Sequence, residues 1–143
     1  MEIQLALETQ VALTAAGLIF LGALVLGVWK YAQIAKSPRH QAHPYVDIAH
    51  RAALMYAFAT LLLAPFAELS AWPTAVNLAS VLAVVFFFVA AITTYAVHGW
   101  RQDTDNQFAA PVRGTHAFMF ALIAVEIGGF AILFAGFLSS QFL

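Results

Sequence analysis

The stretch VALTAAGLIFLGALVLGVW, residues 11–29, followed at once by Lys30, decides the fold class. No charge interrupts it, and about 20 apolar residues are what a helix needs to cross the hydrocarbon of a bilayer. Three further runs of the same kind follow at 46–69, 74–97 and 115–137. Pro44 opens the second, Trp72-Pro73 separates it from the third, and His98-Gly99-Trp100-Arg101 closes the third. Composition agrees: the chain is 63% hydrophobic and 9% charged, with a mean hydropathy of +0.86. A soluble domain carries about 25% charged residues, so this chain has too few to cover a water-facing surface. In lipid every backbone group needs an internal partner, which leaves helices or a closed barrel. Continuous apolar runs, rather than alternating ones, select helices. The expectation is an all-α membrane protein, one four-transmembrane-helix bundle over residues 1–143 with no room for a second domain.

Working outward, the segment before the first run, MEIQLALETQ, has acids at Glu2 and Glu8 and no base. A secretory signal would begin with positive charge, so the first run is expected to stay as a span. All six Lys and Arg lie in or beside the first and third connections: Lys30, Lys36, Arg39 and Arg51, then Arg101 and Arg113. The positive-inside rule makes both connections cytoplasmic and puts both termini on the non-cytoplasmic side. Trp29, Trp72 and Trp100 fall at span ends, the level amphipathic rings prefer. Gly17, Gly22 and Gly27 in span one, and Gly128, Gly129 and Gly136 in span four, read as close-approach positions between helices. Phe86-Phe87-Phe88 circles its helix and reads as lipid-facing bulk or a subunit contact.

With no cysteine, disulfides, thiolate catalysis and cysteine-held metals are excluded. Chemistry falls to histidine. All five, His40, His43, His50, His98 and His116, map to the basic side, and His50 lies deepest, a turn or two inside span two. Imidazole combines a near-neutral pKa with affinity for transition metals and haem iron. The plainer reading is that polar rings favour span ends. In His43-Pro44-Tyr45-Val46-Asp47-Ile48-Ala49-His50-Arg51, Pro44 suits the first helical turn and His43 the cap. His43, Asp47 and His50 are spaced to share a helix face. Asp47 is a candidate to orient a metal-binding His50; its alternative is an ion pair with Arg51. Glu126, near the middle of span four, is an ionisable group where such groups are costly and suggest a proton site. The alternative is a protonated acid bonded across helices. Glu68 reads as interfacial, and Tyr56 and Tyr95 as hydroxyl donors inside the bundle or as plain packing.

Several of these segments, in order, resemble the four-helix membrane isomerases: the styrene oxide isomerases and their hydroxylaminobenzene mutase-like relatives. Ala49-His50-Arg51-Ala52-Ala53-Leu54 stands where those proteins open their second span with an Ala-His pair, and Pro65 follows within it. Ala91-Ile92-Thr93-Thr94-Tyr95 is similar to their third span, and Asp105-Asn106-Gln107-Phe108-Ala109-Ala110-Pro111 to an Asn-Gln-Phe stretch after it. The resemblance covers about 100 residues and implies a homotrimer in a bacterial inner membrane with haem b between subunits. His50 would be the axial ligand, and Tyr95 would position a small lipophilic epoxide-like or hydroxylamine-like substrate. Ferric iron would act as a Lewis acid in an intramolecular rearrangement. The departure is Tyr56, standing where the isomerases have asparagine, and His43, His98 and His116 have no counterpart.

Two other classes remain open. A b-type cytochrome or electron-transfer subunit would bind one haem through two imidazoles, His50 with His98 or His116. A small proton-coupled transporter or assembly subunit would use Glu126. Small multidrug exporters carry their essential glutamate in span one, which here has no charge between Glu8 and Lys30. A glutathione-using trimer would want more buried arginines than Arg51. Nucleic acid is not an expected partner.

Overall fold

The computed structural model describes residues 4–143, so Glu2 lies outside the described residues. Four helices account for most of them: α1 Leu7–Lys36, α2 Pro44–Glu68, α3 Thr74–Arg101 and α4 Thr115–Phe142. All four are long and apolar enough to cross a membrane. At about 1.5 Å per residue they run about 38–45 Å, beyond the ~30 Å of hydrocarbon. In a bilayer their ends would reach the headgroup region, where all the charged side chains but Glu126 stand.

Local chemistry explains the bounds. Helix α1 passes Trp29 because nothing breaks it before Pro38, which holds Ser37 extended at ψ 131°. At the start of α2 Pro44 occupies the first turn, and the cap residue His43 accepts the Tyr45 N–H on Nδ1 at 3.2 Å. Helix α3 ends on a left-handed Gln102, and α4 starts after Gly114 at φ 95°.

The helices form a flattened rhomb. α2 and α3 make the short diagonal, while α1 and α4 occupy far corners and do not touch among the described residues. One end holds the start of α1, the end of α4 and the α2–α3 turn, where the Ala71 N–H donates to the Gly136 carbonyl and Trp72 Nε1–H to that of Ile132. The other end holds the two longer connections and all six bases.

Packing rests on small side chains. On α1 the buried stripe is Ala12, Ala16, Ile19 and Ala23, and on α2 it is Ala49, Ala53, Ala57, Ala64 and Ala67 with Thr60. Spacings of three and four keep both stripes on facing sides and let the backbones approach. Of the six glycines expected at contacts, Gly27, Gly129 and Gly136 are there, whereas Gly17, Gly22 and Gly128 face open space. Alanine does at most α1 contacts what glycine was expected to do. Phe88 also departs from expectation, being 7% exposed and stacked on Tyr56, whereas Phe86 points outward. Near the termini Asn77, 1% exposed, donates to Glu8 Oε1 at 3.2 Å and the Trp72 carbonyl at 3.0 Å, clasping α1 to α3.

Candidate functional site

The α1–α2 contact determines how His50 is held. The helices run antiparallel, so Ala23, Gly27 and Lys30, a four-three spacing on α1, meet His50 and Asp47 on α2 in reverse order. Lys30 pairs with Asp47 at 2.5 Å. One turn along, the imidazole of His50 lies over Gly27, where an added Cβ would come 2.8 Å from His50 Cε1. Beyond it His50 Nδ1 meets the carbonyl of Ala23 at 2.9 Å. A carbonyl only accepts, so Nδ1 carries the proton and, in the neutral ring, Nε2 keeps its lone pair. The Ala23 oxygen also serves its own helix, as a carbonyl with two lone pairs allows.

Asp47 does not orient this ring. Its carboxylate is taken up by Lys30 and, at 2.9 Å, by Arg51, which is the ion-pair alternative extended across helices. The reason is geometric: Lys30 projects from α1 at the level of Asp47, one turn short of the imidazole. His43 is also apart. Its Nδ1 caps α2 and its Nε2 lies 3.3 Å from Asp105 of the long connection. The three residues share one stretch of α2 and serve three separate partners.

The other flank of α2 holds the tyrosines. Tyr56 follows His50 by six residues, about 120° away around the helix at 3.6 residues per turn, and stacks on Phe88 of α3 at 4.2 Å. Tyr95 stacks on buried Tyr45 at 6.0 Å, and the His98 ring packs on Tyr45 at a tilt, centroids 5.1 Å apart. The Tyr45 hydroxyl accepts the Gln107 N–H at 2.7 Å, pinning the long connection onto the bundle. Glu126 Oε1 is buried without a hydrogen-bond partner among the described residues.

Between α3, α4 and the connection lies a cavity of about 480 Å³, lined among others by Tyr95, His98, Gln107 and Phe118. His98 Nδ1 hydrogen-bonds Asp103 Oδ1 at 2.8 Å. That bond, with the ring's charge and Arg101 adding to it, holds the exposed Asp103 carboxyl below its ordinary value of 3.8. His116 is exposed in the first turn of α4, 6.4 Å from the Phe108 ring, and His40 is exposed in the first connection. The histidines therefore do not converge: His50 bonds to α1, His98 to the connection after α3, and His116 faces outward. Among the described residues no group of three or more metal-binding side chains forms.

Sequence reading missed Asp103, Gln107 and Tyr45 as parts of this end of the molecule. The five-residue step from His98 to Asp103, just past a helix end, was the available signal. Set against known families, curated proteins and solved structures, the chain matches none.

Proposed function

We propose that this protein is a haem b-binding isomerase of the bacterial inner membrane, acting on a small lipophilic epoxide or hydroxylamine on the cytoplasmic side. The observation that supports it is the bond from His50 Nδ1–H to the Ala23 carbonyl. A haem-ligating imidazole needs its far nitrogen anchored and its near one free, and second-shell anchoring of this kind fixes both tautomer and ring orientation. His50 meets that requirement and makes no other hydrogen bond among the described residues. Gly27 supplies the room, and the lipid-facing Val28, Met55 and Phe58 nearby on α1 and α2 leave apolar surface for a porphyrin. When bound, ferric haem supplies a Lewis acid that draws on the substrate oxygen and returns no net electrons.

The chain's own residues would do the rest. His50 would hold the iron, and the hydroxyls of Tyr56 and Tyr95 would orient the substrate oxygen. Both tyrosines lie away from His50, Tyr56 on the other flank of α2 and Tyr95 on α3, so in a trimer the substrate at one protomer's His50 would meet a neighbour's tyrosines. A cyclic ring does join unlike faces in this way. The test is turnover of styrene oxide to its carbonyl isomer by the purified protein without added reductant or oxidant. Wild type should convert it and His50→Ala should not; equal rates from the two would end the proposal.

A second reading has its own observation. His98 with Asp103 has the carboxylate–histidine arrangement found behind metal-bound imidazoles, which favours a bis-histidine electron carrier; because His50 and His98 do not converge within one chain, the two imidazoles would come from different protomers. His98→Ala separates the two, because only the electron carrier would then change its haem spectrum.

A further inference from the structure

The cavity between α3 and α4 is polar at its mouth and apolar at its floor. At the level of the connection it meets Arg113 and the His98–Asp103 pair. Two turns deeper it meets Ala91, Met119 and Leu122, the last 7% exposed. Its volume of about 480 Å³ lies within the range of ligand pockets, about 300–1,000 Å³.

The opposite charges at the mouth, Arg113 and Asp103, are not paired with each other. Asp103 is engaged by His98, while Arg113 makes no ion pair among the described residues. An unspent guanidinium at the mouth of a cavity selects an anion, and its planar fork favours carboxylate or phosphate. Asp103 opposes such a group, and its hydrogen bond to His98 Nδ1 draws Oδ1 toward the ring without removing the charge. The hydroxyl of Thr115 donates to the Val112 carbonyl, leaving Arg113 as the one strong donor of the α4 entrance.

We propose that this cavity binds an anionic amphiphile, its acid group on Arg113 and its apolar tail between Met119 and Leu122. The site needs no haem and stands whether or not His50 holds one. Either a soluble carboxylic acid or an anionic lipid presents this chemistry.

The experiment is calorimetric titration of 4-phenylbutyrate into the protein held in phosphatidylcholine nanodiscs, with 4-phenylbutanol as the neutral control. Saturable binding of the acid, tighter than the alcohol, is expected. Arg113→Gln, an exposed change with little bearing on folding, should weaken it about tenfold, the worth of one charge-assisted contact. Met119→Trp should abolish it by filling the floor. A few per cent of phosphatidylglycerol distinguishes the sources: competition assigns the site to lipid, unchanged affinity to a soluble acid, and either keeps an anionic amphiphile as occupant. Equal binding of acid and alcohol, or an Arg113→Gln variant that binds like wild type, overturns the proposal. The haem spectrum should not change with Arg113→Gln, so failure here and failure at His50 are separate results.

Discussion

At the scale of single residues, the question is what each polar side chain in an apolar molecule is bonded to. His50, Asp47 and His43 were legible as a group because helical spacing puts them on one stretch of α2. Their separate partners were not, because Lys30, Ala23 and Asp105 come from other elements, and spacing along one helix says nothing of its neighbours. Asp103 shows the same limit and gives a pH prediction. Its folded pKa lies below the ordinary 3.8, chiefly through the hydrogen bond from His98. A depressed carboxyl contributes stability that is present above its ordinary pKa and lost as pH falls through the lower folded value. The protection factors of amides 102–107, taken against the intrinsic exchange rate at each pH, should therefore fall as pH drops from about 5 through the folded value. Asp103→Asn should show low protection factors throughout that range. A wild-type segment equally protected at both ends of the titration would refute the role given to the pair.

At the scale of elements, the four helices were readable from hydrophobic run length, since no soluble alternative buries so much apolar surface. Their ends were less so. α1 gained residues at both ends because helix continues through polar side chains, at its C-terminal end until Pro38 stops it. The contacts were the least legible: α1 meets α2 through alanine, and the buried amide of Asn77 sat unremarked in an apolar run. Gly99 is the test at this scale. A Cβ there would stand 2.7 Å from Val46 Cγ2 and 3.0 Å from the Val46 backbone nitrogen. Backbone cannot yield as a side-chain tip can, so Gly99→Val should cost about 1–3 kcal/mol through overpacking, read as a lowered thermal midpoint. Gly22→Ala, in open space, should leave the midpoint unchanged. Equal losses at both positions would contradict the assigned α2–α3 contact.

At the scale of the whole molecule, an even number of spans puts both termini at one end and all the bases at the other. Because the chain has no cysteine, single introduced cysteines report sidedness directly. Arg39→Cys should be shielded from an impermeant reagent in intact cells and Ser70→Cys labelled; the reverse pattern would invert the orientation. The rhomb leaves α1 and α4 uncovered on opposite corners, which suits a ring of protomers in lipid. Across these scales one claim is central, that His50 presents a free Nε2 to haem iron. Its most direct measurement is the absorption spectrum of protein purified from haem-replete cells. Wild type should show a Soret band, Gly27→Val should shift or weaken it by displacing the ring, and His50→Ala should remove it. A colourless wild-type protein, or a Soret band untouched by His50→Ala, would contradict the account.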